Sequence, residues 1–438
     1  MHPGDVSWLS EAGHGPAEST RQWLVAAHRR LEDLLPAGGG KALLTEDLVD
    51  ASGRAIDVFD HFRVDPKRLT SLRHNWEGLA HTAQASGAVT SAATPTPPWP
   101  GYTDEWIPVA DNVQVSARIG WTEVRGERRE ADCIVILPGL LGDNNVRRTR
   151  DLADAIRAGG FHVLCFEFRG HGRTLRERPN LFYNFGTLET VDLLAVSRWL
   201  EDQPHVRRTG LIGFCWGANH ALLAGWFDGR PERHPSLRGE LAAHLPGVAK
   251  RAHYTAGIMA FSPVLSFETL IEQLERSWSR FKNPVLCGLQ ASIEARMKHR
   301  GFDDPCGSLR RLIEEEYARS PLSYRDAIRD GLRFLRWLPH RGEPSGDKLV
   351  DIRVPTVIVQ GANDPLAPAQ DVADVLKGIE NRKVAAVILP GGGHIGFAAY
   401  AKRYYFSLIM NFFRAERSAV DGVTDGQAQA AAPAASTR

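Results

Sequence analysis

Apolar residues along this chain follow two different periods, and the change from one to the other divides the sequence. Within 17–36, Trp23, Leu24, Ala27, Leu31, Leu34 and Leu35 recur at near-helical spacing, and Pro36 with the Gly38–Gly40 run ends that helix. Further helical patterns run from about Leu43 to Phe62 and from Pro66 to Ala83, so 1–85 reads as a helical N-terminal extension. SGAVTSAATPTPPWPG, from Ser86 to Gly101, is a Ser/Ala/Thr/Pro linker, and the segment 86–105 is assigned to it.

Beyond the linker the texture becomes strand, turn, helix. Strand-like runs fall at Val113–Ile119, Cys133–Leu137, Phe161–Phe168, Gly210–Phe214, Ala256–Phe261, Thr356–Gln360 and Val384–Leu389. Helical runs fall between them at Val146–Ala158, Thr187–Leu200, Ala218–Phe227 and Ala369–Leu376, with a last one at Tyr400–Phe413. Such alternation predicts an α/β fold with a mostly parallel, doubly wound sheet, its core split into 106–265 and 348–416. The interrupting stretch, 266–347, is helical, with Phe267, Leu270, Ile271, Leu274, Trp278 and Phe281 in register. An insertion before a late strand is expected to sit over the strand ends as a lid. The tail 417–438, ending AQAAAPAASTR, reads as disordered.

Composition narrows the classes. The 438 residues carry a net charge of +1, so no strong field favours nucleic acid or an anionic membrane. The doublets Arg147–Arg148 and Arg310–Arg311 read as solvated helix faces. No run of about 18 apolar residues predicts an integral membrane segment. Five cysteines, at 133, 165, 215, 287 and 306, lack the paired spacings of zinc sites and fit a reducing compartment. With no signal-like start, the expectation is a cytoplasmic protein. Neither a His-Glu-x-x-His nor a Gly-x-x-x-x-Gly-Lys pattern occurs, so no metal and no cofactor is expected.

The chemistry concentrates in LIGFCWGANHALLAG. An apolar strand ends at Gly213, a helix starts near Trp216, and Cys215 stands in Gly213-Phe214-Cys215-Trp216-Gly217. This is the cysteine form of the Gly-x-Ser-x-Gly nucleophile elbow, whose sharp turn leaves no room for side chains at its glycines. The turn sets the sulfur at a helix N-terminus, where the partial positive charge favours a thiolate. A structural cysteine in a glycine-rich turn is the alternative.

A thiol nucleophile needs a base, and the base an orienting acid, and on such elbows the chain order is nucleophile, acid, histidine. Asp364 follows the strand VPTVIVQG in Ala362-Asn363-Asp364-Pro365, and His394 follows the next strand in Gly391-Gly392-Gly393-His394. Glu268, shortly after Ala256–Phe261, is the runner-up acid. The oxyanion donors expected are the amides of Trp216, next to the nucleophile, and of Leu140, in the ILPGLLGDN turn. His171, in Arg169-Gly170-His171-Gly172, is read as holding a loop rather than touching substrate, and His220 as packing.

At these residues the chain, from roughly Trp106 to Arg414, resembles the α/β-hydrolase superfamily. The elbow through Asn219, Asn363-Asp364-Pro365, and Gly392-Gly393-His394-Ile395-Gly396-Phe397 are similar to the turns of its YheT-like branch. That resemblance implies carboxylester or phospholipid acyl hydrolysis. Two positions depart from the branch, which has serine where Cys215 stands and usually glycine where Ala218 stands. Cysteine at the elbow resembles dienelactone hydrolases and polyhydroxyalkanoate synthases instead.

Four functions stay open at this point. The first is an acyl hydrolase, esterase or thioesterase, working through an acyl-Cys215 intermediate. The second is an acyltransferase or cyclase handing the acyl group to an alcohol or amine, and the third a non-catalytic binding protein on the same fold. The fourth is non-acyl chemistry, such as isomerisation or lyase work, with Cys215 as a bystander. Trp278, Phe281, Phe334, Leu335 and Trp337 in the insertion suggest a small apolar acyl or polycyclic substrate. The sequence leaves the oligomeric state open.

Overall fold

Strands covered on both faces need no polar alternation, and the central strands here are of that kind. The computed structural model describes residues 19–37, 40–64, 73–86, 95–237, 239–245, 247, 252–275, 284–320, 326–339 and 348–415. Its strands are β1 (Leu43–Leu44), β2 (Thr103–Ala110), β3 (Val113–Gly120), β4 (Glu123–Val124), β5 (Glu127–Arg128), β6 (Ala131–Leu137), β7 (His162–Phe166), β8 (Val206–Phe214), β9 (Gly257–Phe261), β10 (Thr356–Gly361) and β11 (Val384–Leu389). Every residue of β6, β7, β9, β10 and β11 is buried.

The helices are α1 (Thr20–Leu31), α2 (Val58–Phe62), α3 (Arg73–Ser86), α4 (Arg147–Ala158), α5 (Gly172–Glu177), α6 (Thr187–Glu201), α7 (Trp216–Gly229) and α8 (Gly239–His244). After β9 come α9 (Phe267–Glu275), α10 (Pro284–His299), α11 (Leu309–Ala318) and α12 (Ala327–Phe334), then α13 (Ala369–Leu376) and α14 (Phe397–Arg414).

The main sheet runs β1-β11-β10-β9-β8-β6-β7-β3-β2. From β11 through β7 the pairings are parallel, while β1, β3 and β2 pair antiparallel at the two margins. The chain passes from β6 to β7 on one side and returns to β8 on the other. That reversal opens a crevice at the carboxyl ends of β6 and β8, the place where such sheets bind ligands. One apolar core fills each face, and Trp23 of α1 meets Phe412 of α14 edge-on at 5.3 Å.

The expected sheet is present, and the differences have local causes. The helix expected over Leu43–Phe62 is instead β1, a short 3-10 turn at Thr45–Leu48 and α2. Asp47 accepts from the Leu44 amide at 2.9 Å, and Asp50 accepts from the amides of Ser52 and Arg54 at 2.9 and 3.0 Å, before Gly53 at φ 77°. Aspartates that bond nearby amides favour turns over helix. The N-terminal section is therefore not wholly helical, and its β1 extends the sheet beside β11. Strand β2 begins at Thr103, inside the stretch assigned to the linker; Pro108 masks its pattern and is tolerated because β2 is an edge strand.

Helices α9 to α12 stand between β9 and β10, where the insertion was expected. Phe334, Leu335 and Trp337 are buried in packing, so the apolar-substrate expectation gains nothing from them. Trp278, Phe281 and the tail 417–438 lie outside the described residues. No helix of the described residues is long and apolar enough to cross a membrane.

Candidate active site

Strand β8 delivers Cys215 to its carboxyl end, and α7 begins at the next residue. The Cys215 backbone, φ 54° and ψ −117°, lies outside the regions that side-chain-bearing residues ordinarily occupy. The two flanking glycines make the turn possible. A Cβ on Gly213 would come 2.3 Å from the Gly217 carbonyl oxygen, and one on Gly217 would come 2.3 Å from that of Pro138. The Cys215 amide donates to the Phe261 carbonyl at 2.9 Å, tying the elbow to the end of β9. Asn219, one turn into α7, holds the following loop by exchanging hydrogen bonds with the Val264 backbone at 2.7 and 2.8 Å.

His394 and Asp364 arrive from the ends of β11 and β10. The imidazole Nδ1–H donates to both carboxylate oxygens, at 2.9 Å to Oδ2 and 3.1 Å to Oδ1. Asp364 also accepts from the amides of Leu366 and Ala367 at 2.8 and 2.9 Å, and from the Gln360 side chain at 2.9 Å. The other ring nitrogen, Nε2, is buried and makes no hydrogen bond of standard geometry among the described residues. Burial alone would lower the imidazole's pKa; Asp364 and, after it, Cys215 raise it to about 10. The structure thus brings Asp364 and His394 into contact, and Cys215 is close enough to raise the ring's pKa.

Glu268, the runner-up acid, is engaged elsewhere. It lies in the first turn of α9 and accepts a hydrogen bond from Arg336.

The turn after β6 lies directly on the elbow. A Cβ on Gly139 would sit 3.1 Å from Cys215 Cβ and 3.7 Å from its Sγ, so Leu140 follows a residue that packs close to the Cys215 side chain. Trp216 opens α7, so its amide has no carbonyl partner within the helix. His171 holds this turn, as expected. Its Nδ1–H donates to the Arg169 carbonyl at 2.9 Å, and Nε2 accepts from the Leu141 amide at 3.3 Å. Burial keeps this imidazole well below its ordinary pKa, hence neutral and able to accept. Glu167 braces the same region by accepting from the amides of Asn144 and Arg173 at 3.2 and 2.7 Å. His220 bonds the Tyr183 hydroxyl inside the core, a packing role.

Two contributors were not anticipated. Arg148, read as a solvated residue, lays its guanidinium 4.5 Å from the centre of the ring of Phe214, the residue before Cys215. Its Nε is buried without a hydrogen-bond partner among the described residues, while Nη1 donates to the Ala85 carbonyl at 3.4 Å. Burial lowers its pKa, and Tyr405 and Cys215 act in the opposite sense. Arg147 is exposed, as the doublet reading expects, and only its neighbour turns in. The second contributor is Thr82 of α3, whose Oγ1 accepts from the His394 amide at 2.7 Å. Its partner is 312 residues away, a separation that no local pattern signals.

A strained strand-to-helix elbow beside an imidazole–carboxylate pair, all at the carboxyl edge of a doubly wound sheet, defines an enzyme of the α/β-hydrolase type. Residues 134–405 match the alpha/beta hydrolase family, and the chain belongs to it. Among solved structures it is similar to the esterase Pf2001 of Pyrococcus furiosus, at 17% identity over 73% of this chain and 98% of that one, with a TM-score of 0.44. It is also similar to a 2,6-dihydroxy-pseudo-oxynicotine hydrolase, at 16% identity over 70% of this chain and 67% of that one, TM-score 0.45. For Est1E of Butyrivibrio proteoclasticus the values are 13%, 71%, 96% and 0.41.

Proposed function

We propose that the protein is an acyl hydrolase, of the esterase or thioesterase kind, that works through an acyl-Cys215 intermediate with His394 as base and Asp364 as orienting acid. The observation that carries this reading is the bonding of His394. Both oxygens of Asp364 hold Nδ1–H, which leaves Nε2 as the nitrogen available to the thiol.

In this mechanism Nε2, protonated near neutral pH by its raised pKa, pairs with the Cys215 thiolate, and the sulfur attacks the substrate carbonyl carbon. The C–S bond forms, and the carbonyl electron pair moves to oxygen, where the amides of Leu140 and Trp216 receive it. Collapse breaks the bond to the leaving group, which departs with the proton from His394. Water, deprotonated in turn by His394, attacks the thioester, and the thiolate leaves. Arg148, half-buried with its guanidinium over the Phe214 ring, adds positive potential near Cys215.

Within the family, the Asn363-Asp364-Pro365 and Gly392–Phe397 turns support the YheT-like branch, with cysteine in place of its serine. Contacts of the insertion support its reading as a lid. Phe267 of α9 meets Trp216 at 4.7 Å, and Glu316 of α11 accepts from the Tyr183 amide at 3.0 Å.

The test is turnover of a graded set of acyl esters and acyl thioesters by the wild type and Cys215→Ala. Cys215→Ala is expected to lose at least ~10³-fold in kcat, as nucleophile removal does. Turnover at the wild-type level would contradict the proposal. Running the same assay with added alcohol or amine separates hydrolysis from acyl transfer, since a transferase yields the new ester or amide at the expense of free acid.

A further inference from the structure

The turn that carries His394 has little stiffness of its own. Gly392, Gly393 and Ile395 have φ of 118°, 54° and 60°, so the histidine sits among backbone conformations that are mostly the province of glycine. Its rigidity is supplied from outside. Three consecutive amides of this turn each donate to a side chain from a different part of the fold. Gly393 donates to Asn363 Oδ1 at 2.9 Å, His394 to Thr82 Oγ1 at 2.7 Å, and Ile395 to Ser262 Oγ at 3.3 Å. Asn363 precedes the acid, and Ser262 follows Phe261, the residue that binds the Cys215 amide. Two of the three anchors thus tie the histidine to its acid and to the nucleophile's neighbourhood. The third comes from the N-terminal extension.

Helix α3 approaches this turn more closely than side chains would allow. A Cβ on Gly78 would lie 2.2 Å from the Asn363 carbonyl oxygen, and one on Gly393 would lie 2.1 Å from that of Gly78. A Cβ on Gly396 would lie 2.4 Å from the carbonyl oxygen of His81. The helix therefore seats backbone against backbone on the acid turn and the histidine turn together. Thr82 is fully buried in that seat, and its hydroxyl is oriented by donating to the Gly78 carbonyl at 2.6 Å. With its proton committed there, Oγ1 presents a lone pair to the His394 amide.

We infer that Thr82 is a positioning residue for the base and that α3, although far from the chemistry in sequence, belongs to the apparatus that aims the His394 ring at Cys215. The inference rests on the reading of Cys215, His394 and Asp364 as a triad. A misplacement of about 1 Å in such a ring costs on the order of 10²-fold in rate.

The experiment measures alkylation of Cys215 by iodoacetamide across pH, read by peptide mass spectrometry on the full chain, for wild type, Thr82→Val, Thr82→Ala, Thr82→Ser and His394→Gln. Circular dichroism verifies folding. Thr82→Val and Thr82→Ala are expected to slow alkylation at neutral pH by ~10-fold or more and to move its acid limb upward, toward the His394→Gln profile. Thr82→Ser, which keeps the acceptor, is expected to restore most of the rate. If the valine variant does not fold, the smaller alanine variant supplies the comparison. Folded Thr82 variants with the wild-type profile, alongside a displaced His394→Gln profile, would reduce α3 to packing. Failure of Thr82→Ser to restore the rate would do the same. A His394→Gln profile identical to wild type would instead overturn the triad reading and this inference with it.

Discussion

Asp364 accepts from four donors, and only one of them is His394, the proposed base. The amides of Leu366 and Ala367 and the Gln360 side chain fix the carboxylate before it meets His394, so the ring finds its partner already oriented. This has a consequence for pH. His394, ordinarily near 6.5, is raised to about 10, so the folded protein holds a proton that the unfolded chain releases. The stability this contributes is whole below about 6.5 and is lost as pH climbs through about 10. Asp364→Asn removes the main cause. It is expected to cut ester turnover by ~10²-fold or more, since the base loses its orienting charge, and to abolish that decline of stability with pH, as urea denaturation at several pH values would reveal.

The candidate residues stood out in the sequence because each follows a strand and each is framed by glycine or proline. Cys215, Asp364 and His394 carry that mark, and the chain order of the elbow enzymes then links them. Thr82 and Arg148 carry none. A threonine within a helix and an arginine in a basic doublet look like ordinary solvated positions until the fold brings a distant amide or an aromatic ring against them.

At the level of helices, α12 and the segment after it are fastened to the core by one buried amine. Lys348 donates to the carbonyls of Phe334 and Arg336 and lies 5.2–5.4 Å from the rings of Trp226, Phe334 and Trp337. Burial lowers its pKa from 10.5 to about 7. Between those values the unfolded chain binds more protons, so this group makes stability rise with pH, opposite to His394. The two slopes oppose each other over roughly pH 7 to 10. Lys348→Met is expected to cost ~1–3 kcal/mol by stranding two buried carbonyls and to leave a stability that falls as pH rises through this range. Urea denaturation at pH 7 and pH 10 distinguishes that from an unchanged pH dependence. Periodicity exposed the insertion's helices but not this fastening, since a lone lysine following Ser345-Gly346-Asp347 reads as solvated.

The sheet as a unit was the most legible feature, because buried parallel strands announce themselves as short apolar runs at regular intervals. Its margins were not. β1 is two residues long and β2 contains Pro108, so neither produces a pattern that rises above its surroundings. For the same reason the N-terminal section looked detached. In the structure it adds β1 to the sheet, packs α1 against α14 and seats α3 on the turns bearing the acid and the histidine. The fold and the site are thus joined through a segment without a chemical motif of its own.

The account depends on a covalent acyl group at one sulfur. Intact-mass and peptide-mapped analysis of the wild type, Cys215→Ala and His394→Gln, each incubated with an acyl thioester, tests this most directly. The prediction is an added mass equal to the acyl group, mapped to Cys215, transient in the wild type, persistent in any His394→Gln molecules that acylate, and absent from Cys215→Ala. Substrate consumed by the wild type with no adduct on Cys215 under rapid quenching, and at the same rate by Cys215→Ala, would contradict it.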